Sequence, residues 1–279
     1  MSRARAFAKL NIALVVGPLR ADDKHEVVTV LQAIDLYDDI ELVPAEELTV
    51  EGFPEDTLVR QALEALAEAA GVAPAWRVRI EKRIPLAAGL GGGSSNAAAA
   101  LELANALLPE PLYPDELHRI AGRIGADVPF FLRDGPQVAT GDGSELEPIE
   151  LPRDYVVVLV FPDSATKQST GAVYHSFDER RGAEGFDQRK AAFRETLARV
   201  ARARDLAALP ANDLASSPLA PELEQLGAFR ADVTGAGPTI YGLFERRDDA
   251  ERAASAMRRE GPTWLSRPIA AGDRLRVAR

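Results

Sequence analysis

Cysteine is absent from the chain. That excludes disulfides, thiolate-held metals and a cysteine nucleophile, and it fits a reducing compartment. Histidine is nearly as scarce: His25, His118 and His175 are the three present, at spacings that suit no metal centre. No run approaches the ~18–20 uninterrupted apolar residues of a membrane span. The opening Met1-Ser2-Arg3-Ala4-Arg5-Ala6 lacks the apolar stretch of a signal peptide, so the cytoplasm is the expected setting. Positive charge is also in deficit, with 33 Lys and Arg against 43 Asp and Glu and a formal net charge of −10. Such a surface repels phosphate backbones and anionic lipid, so neither nucleic acid nor membrane is an expected partner. A local nest of amides with a lysine can still hold an anionic nucleotide.

What is present is the composition of an ordinary folded protein, 46% hydrophobic and 27% charged over 279 residues, enough for one large domain or two modest ones. Ala8, Leu10, Ile12, Leu14 and Val16 alternate with Lys9, Asn11, Ala13 and Val15. This predicts a half-buried strand with Lys9 and Asn11 side by side on its less apolar face. A polar loop over 20–26 follows, then strands over 27–34 and 39–43, a helix over 58–70 and a strand over 76–81. The tract 95–108 reads as an alanine-rich helix, 114–123 as another, and Gly141-Asp142-Gly143 as a turn. Tyr155 to Phe161 is a continuous apolar run suited to a buried strand. Helices are expected near 169–177, across 186–209, at 221–229 and at 248–260. Strands at 231–233 and 239–244 flank Thr234-Gly235-Ala236-Gly237-Pro238, and a last strand follows. A domain boundary falls near residue 150.

Chemistry concentrates in Pro85-Leu86-Ala87-Ala88-Gly89-Leu90-Gly91-Gly92-Gly93-Ser94-Ser95. Glycines let the backbone adopt φ > 0 and approach a ligand closely. A glycine loop between strand and helix aims amides and a helix N-terminus at an anion. Ser94 and Ser95 can cap the helix and offer hydroxyls to phosphate or Mg²⁺. This is not a Walker A loop, because no Lys-Ser/Thr follows the glycines, and Ser94 breaks the dinucleotide fingerprint.

Together with Asn96, that run resembles the phosphate loop of the GHMP kinase superfamily. Ala8-Lys9-Leu10-Asn11, Gly125-Ala126-Asp127-Val128-Pro129 and Thr234-Gly235-Ala236-Gly237-Pro238-Thr239 resemble, in order, three further motifs of its 4-diphosphocytidyl-2-C-methyl-D-erythritol kinase family. The resemblance implies an α+β, two-domain GHMP kinase. Residues 1–150 would form an N-terminal ATP-binding domain like domain 2 of ribosomal protein S5, and 151–279 a ferredoxin-like C-terminal domain. It implies ATP and Mg²⁺ as cofactors, ATP phosphates over Pro85 to Ser95, and a cytidine diphosphate-linked alcohol as substrate, phosphorylated at its 2-hydroxyl in non-mevalonate isoprenoid synthesis. Lys9 and Asp127 would be the catalytic pair, Asp127 taking the proton of the attacking hydroxyl or holding it in line. Asn11 would lie on the substrate. His25 matches a histidine that bonds cytosine, and Tyr174 an aromatic that stacks on it.

The departure lies in Asp22-Asp23-Lys24-His25, where the family's glycine and tyrosine are missing. Lys24 could cover the base with its aliphatic stem or reach the diphosphate. Asn212-Asp213-Leu214 resembles another family segment beside the active site, and reads equally as a turn and helix cap. A monomer or homodimer is expected. Two other readings stand beside this one. A GHMP-type kinase with a different alcohol substrate is suggested by Lys24. A non-catalytic S5-like module contacting RNA is disfavoured by the acidic balance.

Overall fold

A computed structural model describes residues 2–53, 57–164 and 169–269. The first half of the chain builds a six-stranded sheet. Strands β1 (Ser2–Leu19) and β2 (His25–Pro44) form a long antiparallel hairpin, extended by β3 (Thr49–Glu51), β4 (Trp76–Glu81), β5 (Gln137–Thr140) and β6 (Glu145–Pro148) in the order β3-β4-β2-β5-β6, with β1 on β2. The strands expected at 27–34 and 39–43 are one strand. A bulge opposite Phe7 and Ala8 absorbs Asp35 and Leu36, and that irregularity interrupts the apolar alternation. Helices α1 (Thr57–Ala70), α2 (Gly92–Asn105) and α3 (Pro114–Ile124) cover one face. Their Leu63, Leu66, Leu101 and Leu117 pack on Phe7, Ile40, Leu42 and Val78.

The second sheet holds β7 (Val156–Val160), β8 (Arg230–Val233), β9 (Ile240–Phe244) and β10 (Thr263–Ser266) in the order β10-β7-β9-β8, every neighbouring pair antiparallel. Counted within this sheet, that is the 4-1-3-2 order of a ferredoxin-like unit. Helices α4 (Thr170–Glu179), α5 (Phe186–Leu197) and α6 (Leu219–Gln225) lie between β7 and β8 in the chain, and α7 (Arg247–Met257) between β9 and β10. The apolar run of β7 has its reason here: Val157 and Leu159 enter one core, Val158 and Val160 the other. The single helix expected across 186–209 is broken after Leu197. The Asp205 carboxylate captures the N–H groups of Ala201 and Arg202 at 3.0 and 2.8 Å, and a 3₁₀ turn over Ala203–Ala208 follows. Among the described residues no helix is long and apolar enough to cross a membrane.

The two sheets share a core. Leu10, Ile12 and Val30 of the first meet Val157, Leu159, Tyr241 and Leu243 of the second, with Phe193 of α5. The strand β1 is therefore covered on both faces rather than half-buried as its alternation predicts. A second bulge, between Asn11 and Ala13, takes Ile12 out of the ladder. The Tyr241 hydroxyl donates to the Ile12 carbonyl at 2.8 Å and accepts from Arg230 Nε at 3.1 Å. Tyr241→Phe leaves that carbonyl buried and unpaired, and is expected to lower unfolding free energy by about 1–3 kcal/mol. Urea denaturation checks this; an unchanged midpoint would show that the bond contributes nothing.

Candidate active site

The glycine loop is fixed before it starts. Asp38 of β2 is fully buried, and its carboxylate accepts from Lys82 Nζ at 2.5 Å and from the amides of Arg83 and Ile84 at 2.7 and 2.9 Å. This clamps the chain leaving β4. Ala87, Gly89 and Gly91 then take left-handed φ values of 52°, 77° and 71°. Helix α2 begins at Gly92, capped by Gly91 with no side-chain cap, and Ser95 N donates back to Gly91 O at 2.9 Å. Ser94 and Ser95 therefore sit inside the first turn instead of capping it. Ser94 faces the cavity, whereas Ser95 is buried away from it. With no side chain over them, the first amides of α2 remain available to an anion.

The turn between β8 and β9 presses against this loop. A Cβ on Gly89 would come within 2.4 Å of the Thr234 carbonyl oxygen. Asn212 holds the turn, its Nδ2 donating to Val233 O at 2.9 Å and Gly235 O at 2.7 Å, while its own amide donates to Asp232 at 2.8 Å. Asp213 accepts from Val16 N at 2.9 Å, tying the same segment to β1. The Asn212-Asp213 pair thus works as a brace and lies outside the cavity lining.

Strand β1 joins the two glycine segments. Lys9 N donates to Leu90 O at 2.9 Å, and Asn11 N donates to the Thr234 hydroxyl at 3.0 Å. Lys9 is only 4% exposed. Its ammonium donates to Asn11 Oδ1 at 2.6 Å and lies 3.5 Å from Asp127 Oδ2. Asn11 Nδ2 in turn donates to Thr29, whose hydroxyl donates to Ala13 O, so the amide's orientation is fixed. Asp127 follows α3, just before a 3₁₀ turn (Pro129–Leu132), and keeps 38% of its side chain exposed. The arrangement offers one accessible carboxylate oriented by one buried ammonium.

These groups line a cavity of about 730 Å³, which also takes in Lys24, His25, Ala87, Gly89, Gly91 and Tyr174. Leu86 lines a second cavity of about 430 Å³, which shares Ala87, Ala236 and Gly237 with the first. Pro85, Ala88, Leu90, Gly92, Gly93 and Ser95 line neither, and Ala88 and Leu90 are core residues. The His25 ring stacks on Tyr174 with centroids 4.8 Å apart, meets Phe177 edge-on, and holds Asp178 at 2.9 Å through Nε2. Burial first, then the Asp127 charge, pushes the Tyr174 phenol up to about 12, leaving a neutral hydroxyl at pH 7. Lys24 is paired with Asp142. Sequence reasoning missed Asp38, Asp142 and Asp178. Only Asp142 carried a signal, its place in a Gly-Asp-Gly turn.

Families of known proteins match this chain in both halves. The family described as GHMP kinases N terminal domain matches residues 57–135, and the one described as GHMP kinases C terminal matches 217–263. The chain is 35% identical to 4-diphosphocytidyl-2-C-methyl-D-erythritol kinase of Desulfitobacterium hafniense, over 96% of each chain. It is 39% identical to the enzyme of that name from Salinispora tropica, over 91% of this chain and 87% of the relative. A crystal structure of 4-(cytidine 5'-diphospho)-2C-methyl-D-erythritol kinase superposes with a TM-score of 0.75 at 30% identity, covering 96% of this chain and 100% of that one.

Gly89→Ala is expected to weaken binding of an adenine nucleotide by roughly 5- to 150-fold, because the added methyl meets Thr234 O and the left-handed φ is strained. Calorimetric titration of the folded variant checks it; unchanged affinity would mean the loop does not hold the nucleotide.

Proposed function

Because the chain belongs to the GHMP kinase family and is an ATP-dependent small-molecule kinase, we propose that it phosphorylates the 2-hydroxyl of 4-diphosphocytidyl-2-C-methyl-D-erythritol. The observation that carries the reading is the Lys9–Asp127 pair in the same cavity as the uncapped start of α2. The relatives' names support the substrate.

ATP phosphates rest against the loop at Gly89, Gly91 and Ser94, where the start of α2 meets their charge. Asp127 receives the proton of the substrate hydroxyl, or holds that hydroxyl in line, as its oxygen bonds to the γ-phosphorus. The bond from that phosphorus to the βγ-bridging oxygen breaks and ADP departs. Lys9 holds the Asp127 carboxylate and offsets charge developing on the transferred group. Asn11 fixes Lys9 on one side, and its Thr29 bond keeps it there. His25 and Tyr174 hold the cytosine. Among the described residues no three acidic or histidine side chains gather as a metal cluster. Mg²⁺ would arrive with the nucleotide; the Ser94 hydroxyl and the Asp127 carboxylate, both on the cavity wall, are the side-chain oxygens that would hold it, and it would neutralise phosphate charge. The work of the protein is alignment and charge stabilisation. The cytoplasm, with its reduced thiols and small-molecule pools, is the setting proposed for a chain without cysteine.

One observation favours a different alcohol. Lys24 stands where an aromatic wall for the base is expected, and it is engaged with Asp142. A panel of the cytidyl alcohol, homoserine and mevalonate separates the two. Turnover of the cytidyl alcohol is expected, and turnover of either other alcohol in its place overturns the substrate. Asp127→Asn is expected to lower kcat by roughly 10²–10⁴-fold, and Lys9→Met by on the order of 10²-fold. A steady-state assay coupled to ADP release reads both, and near-wild-type kcat in Asp127→Asn would remove that residue from the mechanism.

A further inference from the structure

The cavity is rich in the wrong charge for a phosphorylated ligand. Among the described residues lining it are Asp23, Asp127, Asp142 and Asp178, against two lysines and no arginine. Lys9 is buried and committed to Asn11 and Asp127. Lys24 is different: its side chain is 52% exposed and its ammonium lies 2.5 Å from Asp142.

The partner is rigidly presented. Asp142 Oδ1 accepts from the amide and hydroxyl of Ser144 at 3.2 and 2.6 Å, and the turn is anchored to β2 by Val27 N donating to Gly141 O at 2.8 Å. Gly143 faces Ala126, the neighbour of Asp127, with its Cβ position 3.8 Å from the alanine methyl. Lys24 itself adjoins His25. The ion pair therefore lies on the cavity wall next to His25 on one side and next to the Ala126-Asp127 loop on the other, where a diphosphate passes if the base lies on His25 and the reacting hydroxyl on Asp127.

Resting on the cytidyl-alcohol reading, we infer that Lys24 and Asp142 form an exchangeable latch: the substrate diphosphate takes the Lys24 ammonium from Asp142. Lys24 touches the diphosphate, and Asp142 is a positioning residue that holds the ammonium in place beforehand. Lys24 is half exposed and its ammonium is open to water, which weakens its hold on Asp142, and a diphosphate offers more negative charge and more acceptor oxygens than one carboxylate. Burial opposes charge on Asp142, yet the bonds from Lys24 and Ser144 prevail and hold its carboxyl down at about 2 while the pair is closed; when Lys24 leaves, the Ser144 amide and hydroxyl still bond the carboxylate and favour the anion. Asp142 therefore discriminates as well as positions, because without Lys24 it repels the diphosphate.

The test titrates cytidine and cytidine 5'-diphosphate into the wild-type chain, Lys24→Met and Asp142→Asn. The asparagine keeps an oxygen for Ser144. Lys24→Met is expected to weaken the diphosphate by roughly tenfold or more while moving cytidine by less than about twofold. Asp142→Asn is expected to tighten the diphosphate a few-fold, the opposite sign. Equal weakening of both ligands in Lys24→Met would show that the lysine stem covers the base, and the latch falls. Weakening of the diphosphate in both variants would reduce the pair to a brace for the wall, and the latch falls there too. A wild-type chain that binds neither ligand overturns the substrate reading along with the latch; binding that Lys24→Met leaves unaltered overturns the latch alone.

Discussion

A lysine ammonium taken out of water must be met by oxygen at short range, since an unanswered buried charge costs several kcal/mol. The site is arranged around that demand. Lys9 can be buried because Asn11 turns its oxygen toward it, and Asn11 can do so because Thr29 takes its amide nitrogen. Thr29 in turn is anchored on the Ala13 carbonyl. The remaining direction is answered by Asp127. One buried cation thus orders a file of polar groups across β1 and β2 and brings the loop after α3 against it.

The same strand carries the backbone bonds that unite the glycine segments. Lys9 gives its amide to the phosphate loop and Asn11 gives its amide to the Thr234 turn, so two adjacent outward amides of β1 serve two different sheets' loops. Contact between Gly89 and Thr234 is closer than any side chain would permit. Glycine at 89 is thereby explained twice, by its φ and by its neighbour.

Much of this was legible in the residues. Strand, glycine loop and helix follow from the apolar alternation at 76–81 and the glycine density at 89–93, whereas the α+β, two-domain fold was implied by the family resemblance of the motifs. What local pattern could not give was partnership at a distance. Asp38 clamps Arg83 and Ile84 from another strand, and Tyr241 answers a carbonyl 229 residues earlier. A bulge is equally silent, because its extra residue looks like any other in the alternation, and so β2 read as two strands. Capping rules pointed to Ser94 and Ser95 as the start of α2, yet the chain enters the helix through the left-handed Gly91, and the serines fall inside. Asp205 ended a helix that periodicity would have continued.

The core shared by Leu10, Ile12, Leu159 and Tyr241 belongs to neither sheet alone. Two architectural units with a common interior are coupled in melting, because loosening one strips apolar cover from the other. Ligand bound at the glycine loop consequently slows exchange at those amides of the second sheet that open only by global unfolding, although every phosphate contact assigned to it lies in the first.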